Sequence, residues 1–282
     1  MAVINFIPEV WSATILDNFK QHAVIEPTVA TEYEGDATMG NVVHITSFAT
    51  PTIVNYAVGT SGVRTVDPEA LNDSGQPLNI DQEKAFAFYV DDIDKRQAAG
   101  GMEPVTRDAA AGLVEDAETF LADLMLADGT DRTNAEAIEG EGAGNEAFEV
   151  VKRLRTELSA SPIKAPLSGR TLLVNPEFSA FLLGADSKLT NVDTSGDAAG
   201  LRNATIGQLL GFRVAETSLL NPGSATCIAY HRSAIGYVNQ VNTIEALRAQ
   251  NKFADILRGL MVYGARVLRP TAVRYWTEGI GS

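Results

Sequence analysis

The stretch Ile80-Asp-Gln-Glu-Lys-Ala-Phe-Ala-Phe-Tyr-Val-Asp-Asp-Ile-Asp-Lys-Arg-Gln-Ala98 reads as a strand that ends in a charged exit. Phe86, Phe88 and Val90 fall on one face at period two, and aromatic and β-branched side chains favour a pleated, half-buried backbone. Asp91, Asp92 and Asp94 mark where the strand leaves its sheet; the run lacks the glycine and distal Glu of a calcium loop. Upstream, Val43 and Ile45 alternate with Val42, His44 and Thr46, and Ile53, Val54, Tyr56 and Val58 continue in strand chemistry after a break at residues 49–51. We expect these strands to pair with the one that begins at Leu78 and Ile80. Residues 59–79, with Gly59, Gly62, Asp67-Pro68, Asn72-Asp73-Ser74-Gly75 and Pro77, hold no sustained periodicity and read as the extension of a projecting arm. A lone hairpin is marginal in water, so such an arm needs a partner to lie on.

Residues 8–22 read as an amphipathic helix. Pro8 and Glu9 suit a first turn, and Trp11, Ile15, Leu16, Phe19 and Ala23 share one stripe. A helix packed on its own domain and an arm lying on a neighbouring subunit are both compatible with that pattern. Residues 106–128 carry the strongest helical signal, with Leu113, Ala117, Phe120, Leu121 and Leu124 at i, i+4, i+7, i+8 and i+11 and Gly129 as a stop. At 1.5 Å per residue this helix is about 34 Å long. Glu115, Asp116, Glu118 and Asp123 are expected to form its solvated face.

Residues 128–145, rich in Gly, Glu and Thr, read as a linker into a second, α/β-like unit. Its elements are a helix over 146–159 with Phe148, Val151, Leu154 and Leu158 on a stripe, a buried strand over 170–175, and a short helix from Pro176. Strands follow around 212–216, 225–230 and 234–240. The last stretch, 256–270, has β character and is expected to return to the first unit's sheet.

At 282 residues, 45% hydrophobic and 21% charged, the chain has the composition of a folded protein with room for one large domain or two ordinary ones. Its one cysteine, Cys227, cannot form an intrachain disulfide, and no run approaches the roughly 18 apolar residues that cross a bilayer. Residues 1–6 carry no basic residue ahead of an apolar stretch, so no signal peptide is expected and a reducing cytoplasm is. The net charge of −14 is uneven: residues 1–140 hold 24 Asp/Glu against 7 Lys/Arg, and residues 141–282 hold 12 against 15. No Lys/Arg cluster is dense enough to grip nucleic acid sequence-specifically.

Enzyme chemistry finds no residues to stand on. His22, His44 and His231 have no metal-ligand spacing. Gly140-Glu-Gly-Ala-Gly144 follows no strand and has no Lys-Ser/Thr for phosphates, and no Gly-x-Ser-x-Gly elbow occurs. No catalytic, cofactor or metal site is expected.

Together with Ile7-Pro-Glu-Val-Trp-Ser12, Ile206-Gly-Gln-Leu-Leu-Gly-Phe-Arg-Val214 and Tyr263-Gly-Ala-Arg-Val-Leu-Arg-Pro270, the block quoted first resembles the tailed-bacteriophage major capsid proteins of the Hong Kong 97-type fold. The resemblance is greatest to the actinobacterial-phage group and runs in order over essentially the whole chain. It implies an α+β architecture: an N-terminal arm (1–40), an extended β-hairpin loop (41–98), a peripheral domain with a long spine helix (99–144), an axial domain (145–240) and returning peripheral-domain strands (241–282). It further implies a virion protein, not an enzyme, that assembles with itself as hexamers and pentamers into an icosahedral shell around double-stranded DNA, without sequence specificity, cofactor or membrane. A separate scaffolding protein, a portal and a cement protein are the implied partners, with assembly in the host bacterial cytoplasm. The family prototype joins a loop lysine to a neighbour's asparagine, but residues 59–79 hold no lysine, so a non-covalent shell is expected.

On this resemblance the expected assembly contacts are Trp11, Phe19, Arg64, Glu69, Asp73, Glu115, Arg248, Lys252 and Arg258. Arg248, Lys252, Arg258 and Arg266 are the expected counter-charges to the acidic half. An encapsulin-like compartment shell of the same fold and, more remotely, an acidic cytosolic hydrolase are the other readings.

Overall fold

The computed structural model describes residues 23–33, 40–48, 73–92, 103–132, 143–160, 162–184, 207–220 and 223–278, with positions 52, 53, 56, 70 and 138 between them. The helix expected over 8–22 lies outside these residues, as do Trp11, Phe19, Arg64 and Glu69.

Strands β1 (Val42–Phe48) and β2 (Asp73–Asn79) form an antiparallel pair with Val42 opposite Asn79 and Phe48 opposite Asp73. This corrects the expected arm in two ways. Residues 73–79, read as loop, are a strand; Gly75 and Pro77 are tolerated because, among the described residues, β2 pairs with β1 alone. The partner of β1 is β2, and the Phe86–Phe88 strand goes elsewhere: Ile80 donates its N–H to the Asn41 carbonyl at 2.8 Å, and the chain then enters β3 (Gln82–Asp91). Period two says which residues share a face but not which backbone they bond. The partner of β3 comes from near the C-terminus, β10 (Ala254–Val267), with Tyr263 opposite Gln82 and Ala254 opposite Asp91. Gly264 makes room for the junction, since a Cβ there would stand 2.8 Å from the Ile80 Cα.

β10 also pairs with β9 (Ile235–Arg248), giving a three-stranded antiparallel ribbon in the order β3-β10-β9. β9 continues past residue 240 as one strand, with a register shift at Gln240, which the pairing with β10 skips. The C-terminal stretch does return to the first unit, as expected, but the chain continues: β11 (Val273–Thr277) enters a six-stranded mixed sheet. That sheet has the order β4-β11-β8-β5-β7-β6, with β4 (Thr130–Asp131), β5 (Arg170–Val174), β6 (Gln208–Leu209), β7 (Phe212–Glu216) and β8 (Thr226–His231). β4 lies inside the stretch read as linker, held in parallel by β11, and helix α2 (Ala143–Ser159) already begins at the linker's glycines, with Gly144 buried.

The six-stranded sheet is covered on both faces, which is why β5 and β8 read as continuous apolar runs. Helix α1 (Glu103–Asp128) packs on one side, where Leu121 and Met125 meet Leu173, Ile228, Tyr230 and Val273. On the other side α2 and α3 (Pro176–Leu182) bring Val151, Leu154, Leu158, Phe178 and Leu182 against Leu172, Val174, Cys227 and Trp276. Each such side chain contributes about 1.5–3 kcal/mol by leaving water. The α1 core also takes in Met261 and Tyr263, so the same helix ties the ribbon to the sheet.

The acidic face expected on α1 is not uniformly solvated. Glu118 is buried at 4% exposure and accepts the backbone N–H of Ile25 at 2.6 Å and that of Val24. Asp116 accepts the Tyr263 hydroxyl at 2.7 Å and the Lys84 ammonium at 3.1 Å. Glu115 and Asp123 are exposed, as expected.

Candidate assembly surface

Strand alternation sorts the outer part of the ribbon into two faces. On one, the rows Phe86–Gly259–Ile244 and Phe88–Leu257–Ala246 form an apolar cluster centred on buried Leu257. The Phe86 and Phe88 rings lie 6.0 Å apart and nearly parallel, and Gly259 is bare so that the Phe86 ring can lie across it, since a Cβ there would stand 2.6 Å from the ring Cζ. On the other face the rows are Ala85–Leu260–Thr243, Ala87–Arg258–Glu245 and Tyr89–Ile256–Leu247. Small Ala85 and Ala87 beside longer neighbours leave a shallow depression floored by Arg258, Glu245 and Leu260.

This second face and the ribbon tip carry four of the eight large apolar side chains exposed among the described residues: Phe253 at 81%, Tyr89 at 63%, Leu247 and Leu260, with Val42, Ile53, Tyr56 and Leu167 lying elsewhere. Apolar groups gathered on one surface mark a contact site, whereas scattered ones are ordinary. Charge at the tip is satisfied within the chain. Arg248 Nη1 donates to Asp92 at 2.8 Å and to Asp255 at 3.0 Å, with a further bond from Nη2 to Asp92, so one guanidinium ties the ends of all three strands. Those bonds, to Asp92 first, raise the Arg248 guanidinium above the ordinary arginine value. Arg258 Nε donates to Glu245 at 2.8 Å, and Lys252 Nζ stands 5.1 Å from the centre of the Tyr89 ring.

Of the expected contact residues, Arg248, Lys252 and Arg258 come together on this ribbon. Arg248 meets the acidic half through Asp92, whereas Arg258 pairs within its own half and Arg266 donates to the Pro77 carbonyl. Asp73 opens β2, opposite Phe48, and Glu115 lies on the exposed side of α1, apart from the ribbon face. Sequence reasoning missed Tyr89, Leu247, Phe253 and Leu260. A signal for the first was present: Phe88-Tyr89-Val90 is apolar on consecutive residues, so both faces of that strand carry apolar weight.

Among the described residues no three His, Cys, Asp or Glu side chains are grouped to hold a metal, and no helix is long and apolar enough to cross a membrane. His231 serves local structure, its Nδ1 2.9 Å from the Ser233 hydroxyl and its Nε2 3.0 Å from the Ser168 carbonyl.

A family model described as phage capsid protein matches residues 75–276. A solved structure from Mycobacterium phage Che8 is 42% identical, with 90% of each chain covered and a TM-score of 0.78. The mature capsid of bacteriophage PhiM1 is 16% identical, with 86% of this chain and 83% of that one covered and a TM-score of 0.68. A virus-like particle from Pyrococcus furiosus, 15% identical over 95% and 98% of the two chains, gives a TM-score of 0.60. The comparison with curated proteins yields no match.

Proposed function

The chain belongs to the family of phage capsid proteins, and on that premise we propose that it tiles an icosahedral shell as hexamers and pentamers around packaged double-stranded DNA. It is a capsid shell protein of the virion with the Hong Kong 97-type α+β fold. The observation that carries the reading is the identity of 42% spread over 90% of the chain to a mycobacterial phage structure, in the actinobacterial group to which the sequence motifs point. The ribbon supports it physically. Its exposed apolar face and tip suit summed burial against neighbours, and many modest contacts stabilise a closed lattice without any one strong pair.

In this proposal the subunit divides into an arm (1–40), an extended loop (41–98), a peripheral domain (99–144 with 241–282) and an axial domain (145–240). Trp11, Phe19, Arg64, Glu69, Asp73, Glu115, Arg248, Lys252 and Arg258 contact adjoining copies. A separate scaffolding protein, a portal and a cement protein complete the particle, DNA is held without sequence specificity, and assembly takes place in the host cytoplasm. The family's role is structural, and no step of chemistry is assigned to the chain.

Negative-stain microscopy of the purified protein, co-expressed with its scaffolding partner, tests the shell. Closed icosahedral particles are expected, and a monodisperse small oligomer under all conditions would refute the assignment. Denaturing gels of mature particles should show the monomer alone, because the loop stretch 59–79 has no lysine for a cross-link. The archaeal virus-like particle shares the fold alone, so a compartment shell ranks second; packaged DNA in the native particle decides between them.

A further inference from the structure

Two arginines of the six-stranded sheet are buried, and their surroundings differ. Arg170, at the start of β5, has every head nitrogen occupied: Nε donates to the Pro166 carbonyl at 2.8 Å, Nη1 to the Ser159 hydroxyl at 3.0 Å, and Nη2 to the Ala165 carbonyl. Arg274, on β11, is 6% exposed, and its Nε and Nη1 are buried without a hydrogen-bond partner. Its ion partner is Glu157 of α2, whose Oε2 lies 3.3 Å from Nε. Arg132, just beyond β4, takes the same oxygen at 2.5 Å. Two cations therefore share one carboxylate oxygen, and the inner one keeps unused donors.

Such an arrangement is costly in a free subunit. A buried donor without an acceptor loses its hydration with nothing in return, and the loss is greater for a charged group. Burial, and then the charge of Arg132, push the Arg274 guanidinium below the ordinary arginine value against the pull of Glu157. Side-chain exposure falls from 39% at Arg132 through 28% at Glu157 to 7% at Arg274, so Arg132 stands at the solvent edge of the cluster and Arg274 at its inner end. Elsewhere Lys84, Lys152, Arg248 and Arg258 each close on a carboxylate, and among the described arginines Arg155, on α2, is the other with a buried unpartnered nitrogen, its Nε.

We propose that Arg132 and Arg274 form an oxyanion site that receives a carboxylate side chain from an adjoining copy of the chain. This inference rests on the shell reading. The occupant follows from charge: the nook holds two arginines against one glutamate, and the chain carries 36 acidic against 22 basic residues, so any adjoining copy presents carboxylates in excess. A guanidinium accepts a carboxylate in paired, charge-assisted geometry. A charge left uncompensated in the free subunit and matched at the interface favours assembly over the free state.

The test compares wild type with Arg132→Gln and Arg274→Met, each as dissociated subunit and as shell. On the subunit, arginine Nε–H resonances are followed during titration with sodium acetate and, separately, inorganic phosphate at fixed ionic strength. Acetate is expected to shift the Arg274 resonance saturably, and to bind R132Q about ten-fold more weakly, the loss of roughly one charged hydrogen bond. R274M subunits are expected to melt no lower than wild type, while R132Q and R274M shells dissociate at lower denaturant. Variant shells as resistant as wild type would overturn the inference. So would phosphate binding without acetate binding, or R274M subunits that melt well below wild type, which would make Arg274 an internal brace. Failure of the shell reading is separately visible, as wild-type protein that forms no particles.

Discussion

Glu118 Oε1 lies 2.6 Å from the backbone nitrogen of Ile25, joining α1 to a segment 93 residues earlier in the chain. The same oxygen accepts from Val24, and Ile25 and Val29 are fully buried beside it. One carboxylate thus fixes the backbone of residues 24 and 25 against α1. Glu118→Ala strands two donors and is expected to cost about 2–4 kcal/mol in urea unfolding, whereas Glu118→Gln keeps an acceptor and costs less.

The pH dependence of that residue has a defined sign. Burial raises the Glu118 carboxyl above its ordinary 4.5, opposed by the backbone N–H bonds of Ile25, Val24 and Glu26. The folded state therefore holds the proton more tightly than the unfolded one, so this group's contribution is full below 4.5 and declines as pH rises through the raised value. Wild type should lose stability relative to E118Q as pH is raised from 4.5 toward neutrality; unfolding curves for both proteins with a constant gap would contradict it.

Gly264 faces backbone, not a side chain that could swing aside. A Cβ there collides with the Asn79 carbonyl and stands 2.8 Å from the Ile80 Cα. Gly264→Ala is expected to destabilise the subunit by about 2–3 kcal/mol, the cost of forcing packed elements apart. Ala265→Gly next to it should cost about 1 kcal/mol or less by strand propensity alone. Thermal unfolding of the two variants distinguishes steric exclusion from general intolerance.

Asn175 is fully buried and joins three segments. Its Oδ1 accepts from Phe178 at 3.0 Å and Thr226 at 2.9 Å, and its Nδ2 donates to the Ser224 carbonyl at 2.6 Å. Asn175→Asp would turn an oxygen toward that carbonyl, so at neutral pH it is expected to be at least as damaging as Asn175→Ala, each by about 3 kcal/mol or more. Equal stability of N175D and wild type in denaturant melts would show that the Nδ2 contact to the Ser224 carbonyl is dispensable.

Cys227 lies between β5 and β11 with its thiol fully buried, and desolvation raises it well above the ordinary cysteine range. The thiolate is the reactive form, so alkylation is expected to be negligible on the native protein and complete once it is unfolded. Rapid labelling under native conditions would require the six-stranded sheet to open locally.

Local pattern was enough for the elements that bury one face. The stripe of Leu113, Ala117 and Leu121, the proline at Pro176 that opens a helix, and the alternation Phe86, Phe88, Val90 all specify structure through residue type and spacing, which are written in the chain. The order of the motifs, through the family they belong to, carried the fold and the shell function. Of the basic residues expected to answer the acidic half, Arg248 does so through Asp92, whereas Arg258 pairs with Glu245 of its own half.

Pairing was decided only in three dimensions. Nothing in the residues of β3 names β10 as its partner, because ladder bonds are made by backbone groups common to all residues, and β2 carries so little periodicity that only its hydrogen bonds to β1 reveal it. The same holds for the charged side chains. Glu118 and Asp123 look alike along α1, yet one is enclosed by Val24 and Ile25 and the other meets water. Arg170 and Arg274 are both buried arginines on strands, and only the packing of α2 determines that one is saturated and the other left short of acceptors. Sequence sets the chemistry of each side chain; the tertiary fold sets its solvent and its neighbours, and those decide whether a charge is surface, brace or binding site.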